Sequence, residues 1–154
     1  MGTGCDTIIA QFAADVLETP IDNISVYGVD TDISPYDSGS YASSTTYLTG
    51  MAAVKACEQL RERIIALAAV RMNKDASALT FDGENVIDES DGAKMSLFDI
   101  ATASMCNNEI SLEVTYSHSS PVSPPPFMAA CAEIEADPET GAIELLDYTC
   151  LLYT

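Results

Sequence analysis

Residues 50–73 have the sequence GMAAVKACEQLRERIIALAAVRMN, in which apolar residues recur every three or four positions. Apolar residues at this spacing form one face of an α-helix, and the charged residues of the segment fall largely on the other faces. The segment therefore predicts a long amphipathic helix that reaches about Asn73. The apolar face consists of Ala53, Cys57, Leu60, Ile64, Leu67 and Ala68.

A polar loop, residues 30–50 (DTDISPYDSGSYASSTTYLTG), leads directly into this helix. Ser, Thr, Asp and Gly cluster from Asp37 to Thr46, where backbone amides and hydroxyls can converge on an anion. The free amides and the positive dipole end of a helix N-terminus favour phosphate without a basic side chain. Residues 1–54 contain no Lys or Arg. The loop is interpreted as a ligand-holding loop; the alternative is a polar loop with an ordinary N-cap.

A similar arrangement opens the chain. Gly2, Thr3 and Gly4 form a predicted turn before residues 6–17, whose apolar residues also follow helical spacing. Thr19 and Pro20 are expected to stop this helix. Residues 24–27 alternate between polar and apolar and predict a short strand.

The remaining chain predicts mainly strands. Asp82-Gly83 is a hairpin signal between residues 78–81 and 86–87, and residues 110–116 alternate as a strand. Residues 128–136 are expected to pair with residues 142–148 across the turn at 137–141. A capping box at Ser96 and Asp99 predicts a short helix. We therefore expect one α+β domain, residues 1–154, with two layers in which helices pack on a mixed or antiparallel sheet.

The charge balance argues against nucleic acid as a partner. The net charge is −18, from 24 acidic and 6 basic residues, and affinity for a polyanion comes mainly from Lys and Arg. The longest apolar-leaning run, residues 64–70, is far below the roughly 20 residues that a membrane-spanning helix needs. We therefore expect no membrane partner and a cytoplasmic location.

Five cysteines are widely spaced and include no CxxC pair: Cys5, Cys57, Cys106, Cys131 and Cys150. An odd number at such spacing indicates neither a disulfide framework nor a zinc or iron–sulfur site. We expect reduced, mostly buried thiols and no metal-ligating residues.

The order of these segments resembles the molybdopterin-binding part of the large subunit of the molybdenum hydroxylases, the family of xanthine dehydrogenase, aldehyde oxidase and 4-hydroxybenzoyl-CoA reductase. The resemblance covers most of the chain and is least diagnostic at about residues 73–108. The blocks that carry it are residues 1–7 (MGTGCDT), 30–32 (DTD), 39–45 (GSYASST), 125–127 (PPF) and 132–141 (AEIEADPETG).

The resemblance implies a molybdopterin cofactor gripped by backbone amides and small side chains. Whether the cofactor is a mononucleotide or a dinucleotide form stays open, and the isolated chain is expected to hold it weakly or to lack it. By matching positions, the residues near the metal's ligands and the pterin would be Met1, Gly2 and Thr3, and those around the pterin or its phosphate would be Ala42, Ser43, Ser44 and Thr45. The implied partners are the rest of the large subunit and iron–sulfur and flavin subunits or domains.

Two departures from the family pattern bear on activity. Many relatives have Gly-Gln-Gly where this chain has Gly2-Thr3-Gly4, and Thr is too short to replace that Gln directly. No segment matches the later Gly-rich block that carries the family's catalytic glutamate. We therefore expect a fragment of a larger subunit that supplies no catalytic residue, is inactive alone and self-associates when isolated. The alternative function is a non-catalytic, self-associating interaction module with a family-like fold.

Two further interpretations rest on short motifs. Asp37-Ser38-Gly39 matches the Asp-Ser/Thr-Gly of aspartic proteases, although Ser34-Pro35-Tyr36 rather than an apolar strand precedes it. Acidic pairs such as Asp30 and Asp32 could bind calcium, but no EF-hand spacing is present, and solvated turns are favoured.

Overall fold

The computed structural model describes residues 2–28, 30–37, 39–41, 44–106, 110–122, 125 and 127–153, with only the backbone of 152 and 153. These residues form two compact units, 1–119 and 120–154. The single domain expected from the sequence stays a prediction.

The first unit is built around the helix that the sequence predicted. Helix α1 is Cys5–Leu17, helix α2 is Gly50–Met72 and helix α3 is Leu97–Cys106. A 3-10 turn, Ile21–Asn23, follows α1, and a π-helical turn, Thr45–Thr49, runs directly into α2. The capping box is confirmed, because the Asp99 amide donates to Ser96 Oγ at 3.1 Å at the start of α3.

Three short strands form an antiparallel sheet in the order β1-β2-β3: β1 is Leu79–Phe81, β2 is Asn85–Asp88 and β3 is Lys94–Ser96. Helix α2 packs on β1 and β2, and α3 packs on α2 and β3. This arrangement confirms the predicted α+β class with helices on an antiparallel sheet. The buried core lies between these elements and consists of Ile64, Leu67, Ala68, Ala69, Leu79, Phe81, Val86 and Ile100.

Two predicted strands are wrong. Residues 24–27 and 110–116 belong to no strand of the structure. At the second segment a side chain provides hydrogen bonds to the backbone, since Arg63 Nη1 donates to the carbonyls of Ser111, at 3.2 Å, and Glu113. Alternation alone cannot create a strand without a neighbouring strand to pair with.

One carboxylate is fully buried in the first unit. Asp88 has no exposed surface; its Oδ1 accepts from the Ser90 amide and hydroxyl at 2.8 and 2.6 Å, and its Oδ2 lies 2.8 Å from Lys74 Nζ. Hydrogen bonds from Lys74 and Ser90 hold the pKa of the Asp88 carboxyl well below its usual range, and the same pairing raises the pKa of Lys74. The pair joins the end of α2 to β2.

The second unit is the hairpin that the sequence predicted. Strand β4, Phe127–Ala136, pairs antiparallel with β5, Ile143–Tyr153, across a turn in which Asp137 Oδ1 accepts from the Glu139 amide at 2.8 Å. A bulge at Leu146 shifts the register, so that Glu133 faces Asp147 while Ile134 faces Leu145.

The cross-strand register gives this hairpin two different faces. Residues paired across the strands share a face, and successive residues of a strand alternate between faces. One face, the apolar hairpin face, carries no charged side chain, and all its members are exposed: Met128, Ala130, Ala132, Ile134, Ala136, Ile143, Leu145, Tyr148 and Cys150. The opposite face carries Glu133, Glu135, Glu144 and Asp147.

The expectation of mostly buried thiols is wrong. Cys5 and Cys57 are half-buried, whereas Cys106, Cys131 and Cys150 are exposed, and all five are free thiols. Burial raises the pKa of the Cys57 thiol. None of the described helices is long and apolar enough to cross a membrane.

Candidate functional site

The first two helices point their N-termini towards the same end of the first unit. Phe12 of α1 lies against Gly50 at the start of α2, and farther along both helices Arg61 Nη1 donates to the Val16 carbonyl at 3.1 Å. Contacts that advance along both chains together mean that the helices run in the same direction. The polar segments that precede them therefore lie at one end, which we call the N-terminal end of the helix pair.

The close approach of the two helices depends on a glycine. A Cβ atom on Gly50 would lie 2.5 Å from Phe12 Cε2, which is far inside van der Waals contact. A second close approach lies at Gly28, where a Cβ would be 2.7 Å from Asp6 Oδ1. The chain that enters the 30–50 loop therefore runs beside the first turn of α1.

The segment before α1 is open backbone. Gly2 and Gly4 have φ angles of 76° and 70°, and beyond their chain neighbours no described atom lies within 4 Å of the position that a Cβ would occupy on either. Gly4 is the N-cap of α1, and in the part of the chain that the structure describes no side chain caps this helix end. The first-turn amides of α1 are thus available to an acceptor, and the helix dipole favours an anionic one.

The second loop is held in shape by Asp37. Its Oδ1 accepts from the Gly39 amide at 2.6 Å, and its Oδ2 accepts from Thr49 Oγ1 at 3.1 Å. Ser44 Oγ donates to the Gly39 carbonyl at 3.2 Å. These bonds tie the loop to the π-helical turn, whose first residue is Thr45 and which also lacks a side-chain cap. Helical turns of the π type are rare and are frequent at functional sites.

The structure places four of the predicted site residues at the N-terminal end of the helix pair: Gly2, Thr3, Ser44 and Thr45. Gly2 and Thr3 are exposed, whereas Ser44 and Thr45 are half-buried. The other three, Met1, Ala42 and Ser43, lie outside the described residues. The role of all seven in binding stays a prediction.

These features fit an anionic group that is held by main-chain atoms. Two uncapped helix starts face the same end, glycines leave space beside the backbone, and residues 1–54 carry no cation that would take the place of the amides. A phosphate-bearing group such as a pyranopterin matches this donor set.

The carboxylates of the two short motifs stabilise turns. Both oxygens of Asp37 accept hydrogen bonds from its own loop and the turn that follows it, as expected of a turn-building carboxylate. Asp30 Oδ1 accepts from the Asp32 amide at 3.0 Å in the same way. In the part of the chain that the structure describes, no three His, Cys, Asp or Glu side chains form a group that could hold a metal ion.

The sequence did not predict the contacts of Asp37, Gly28 and Gly50, which bring the two loops together. Asp37 had a local signal, since Asp two residues before Gly is typical of a side-chain-to-backbone turn. Gly28 and Gly50 had no local signal, because their importance comes from Asp6 and Phe12, which are distant in the sequence.

Residues 1–152 match the model of the molybdopterin cofactor-binding domain family. The chain is 34% identical over 153 residues to the probable hypoxanthine oxidase XdhD of Escherichia coli (strain K12), covering 99% of this chain and 16% of that protein. It is 30% identical over 142 residues to the xanthine dehydrogenase molybdenum-binding subunit of Escherichia coli O157:H7, covering 89% of this chain and 19% of that protein.

A solved structure shares the fold. The reconstituted CO dehydrogenase from Oligotropha carboxidovorans superposes with a TM-score of 0.75 at 23% identity, over 98% of this chain and 19% of that one. The chain belongs to the molybdopterin cofactor-binding domain family of the xanthine dehydrogenase-like molybdenum hydroxylases, which confirms the resemblance seen in the sequence. It spans about a fifth or less of the length of these relatives.

Proposed function

We propose that this chain is the part of a molybdenum hydroxylase large subunit that grips the phosphate-bearing end and the pterin of a molybdopterin cofactor. The observation that carries the proposal is the placement of two uncapped helix starts at one end of the first unit, in a segment without cations. Gly2 and Thr3 would hold one side of the group, and Ser44 and Thr45 the other, chiefly through backbone amides.

When bound, the cofactor would supply molybdenum redox chemistry of the kind used in hydroxylation. The residues of this chain would bind and orient it: Asp37 keeps the second loop closed on the π-helical turn, and Gly50 lets α1 approach α2. We assign no catalytic residue to this chain. The residues that move protons in the reaction would come from the rest of the subunit, as would electron transfer to iron–sulfur and flavin partners.

The test is molybdenum and pterin analysis on the chain expressed alone and co-expressed with the polypeptides encoded beside it. We expect both to co-purify near one equivalent with the neighbours and far below that with the chain alone, which should oxidise neither purines nor aldehydes. Absence of molybdenum and pterin from both preparations would contradict the proposal, and so would purine oxidation by the chain alone.

Exposed apolar side chains on α3 favour the alternative, a self-associating module. Phe98 and Met105 lie seven residues apart on one side of this helix and are 78% and 87% exposed. We expect the isolated chain to self-associate through them, and sedimentation of a Phe98→Ser/Met105→Ser variant is the check. An unchanged oligomeric state in this variant would rule out α3 as the contact.

A further inference from the structure

Strands β4 and β5 form an amphipathic ribbon, and no described residue of their own unit covers its apolar side. Every described side chain of β4 and β5 is exposed, including Ile134 and Leu145, which face each other across the strands. A two-stranded hairpin is at best marginally stable in water unless one face packs on another element. Its apolar hairpin face is therefore the surface that a partner would bury.

We infer that the apolar hairpin face is a docking site for an amphipathic helix flanked by Lys and Arg on a partner polypeptide. The dimensions favour a helix. Two strands about 4.8 Å apart, with their side chains, form a strip about as wide as the roughly 10 Å diameter of one helix. A strand of ten residues, with a rise of about 3.4 Å per residue, is about as long as a helix of about 20 residues. The occupant would lie along the strands with its apolar stripe on the ribbon.

The charge of the ribbon selects a basic partner. Residues 120–154 contain six carboxylates, namely Glu133, Glu135, Asp137, Glu139, Glu144 and Asp147, and no Lys or Arg. Four of these carboxylates lie on the face opposite the apolar hairpin face, and two lie in the turn. Because the ribbon is only one sheet thick, their negative potential also reaches charged groups at the edges of the apolar face, and salt weakens it. A second copy would bring six more carboxylates to the same place, whereas Lys and Arg beside an apolar stripe would be attracted. This inference does not depend on cofactor binding by the loops.

Two leucines of β5 provide a matched pair of variants. Leu145 faces Ile134 and Leu151 faces Ala129; Ile134 and Ala129 are five residues apart on β4, so the two leucines lie on opposite faces of the ribbon. Their exposures are similar, at 60% and 71%. Leu145→Ser and Leu151→Ser therefore remove the same side chain from the two faces.

The experiment measures binding of the full chain to a synthetic helix of about 20 residues with leucine on one face and lysine on its flanks, and to a peptide with glutamate in place of lysine. We expect the lysine peptide to bind, more weakly as salt increases, and the glutamate peptide not to bind. Leu145→Ser and Ile134→Ser should each weaken binding about tenfold, and Leu151→Ser less than twofold.

Amide hydrogen exchange would verify that the hairpin remains formed in all three variants. Equal effects of Leu145→Ser and Leu151→Ser would overturn the inference, and so would equal affinity for the two peptides. A dimer of the chain that Leu145→Ser abolishes and that the lysine peptide cannot displace would also overturn it, because it would show a second copy on this face.

Discussion

At the scale of single residues, the clearest determinant of stability is the buried Asp88. Its carboxylate is ionised in the fold because Lys74 and Ser90 bind it, and burial of an unpaired charge would be strongly unfavourable. Sequence patterns gave no sign of this pair, since both residues look like ordinary surface charges. The Lys74–Asp88 ion pair connects the segment after α2 to β2 and thereby stabilises the packing of these two elements.

Asp88→Asn is expected to lower the free energy of unfolding at neutral pH. The folded-state pKa of Asp88 is lowered, so its stabilising contribution is complete above the ordinary carboxyl pKa of about 4 and is lost as the pH falls towards the folded value. The stability difference from wild type should thus shrink below about pH 4. Urea unfolding across pH checks this, with the exposed Asp22→Asn as control; a difference that does not depend on pH would contradict it.

Gly83 is the residue whose lack of a side chain matters most for packing in the first unit. Its φ is 92°, and a Cβ there would overlap the Glu18 carbonyl at the end of α1. Gly83→Ala should reduce the free energy of unfolding by about 3 kcal/mol, because alanine is strained at this φ and its Cβ would displace the backbone at Glu18.

Gly92 supplies the control for this substitution. It also has a positive φ, 75°, but a Cβ there meets nothing within 4 Å. Gly92→Ala should cost only the conformational strain, about 1–2 kcal/mol. Equal losses in thermal or chemical unfolding would show that contact with α1 is not what requires glycine at position 83.

At the scale of elements, Arg61 joins three of them. It lies on α2 and donates to the Val16 carbonyl at the end of α1 and to the Phe81 carbonyl of β1 at 3.0 Å, and it pairs with Glu18 at 2.6 Å. A cation beside the last carbonyls of a helix also complements the helix dipole. Arg61 thereby ties the end of α1 and strand β1 to α2.

Arg61→Met should lower the free energy of unfolding by about 2 kcal/mol, because it leaves two partly buried carbonyls without their donor. Arg71→Met is the matched control, since Arg71 is exposed on the same helix and its loss changes the net charge equally. Similar losses for both variants in urea unfolding would contradict the role assigned to Arg61.

The helices and hairpins could be predicted from the sequence because their signals are local. Apolar spacing defines α1 and α2, Asp82-Gly83 defines the β1–β2 turn, and the turn after Ala136 defines the second hairpin. The prediction of strands at residues 24–27 and 110–116 was wrong. A strand needs a neighbouring strand to pair with, and a local sequence pattern does not specify that neighbour. The parallel course of α1 and α2 also escaped prediction, since it rests on the Phe12–Gly50 contact.

In the first unit as a whole, the candidate site consists of two loops that are separate in the sequence, one before α1 and one before α2. In the sequence, each loop is a polar segment that precedes a predicted helix. The parallel helices place both starts at one end, which is where a phosphate-bearing cofactor would find amides from two directions. The chain covers about a fifth or less of its relatives, so the remaining walls of such a pocket would come from other polypeptide.

Cofactor binding at the N-terminal end of the helix pair can be tested by the pterin content of Gly2→Ala and Gly92→Ala, each co-expressed with the neighbouring polypeptides. Their φ angles are 76° and 75°, and no described atom beyond the chain neighbours meets a Cβ at either position, so the two substitutions impose a similar local backbone strain. We predict that Gly2→Ala lowers pterin and molybdenum per chain at least fivefold and that Gly92→Ala leaves both unchanged. Equal occupancy in the two variants would contradict cofactor binding at the N-terminal end of the helix pair.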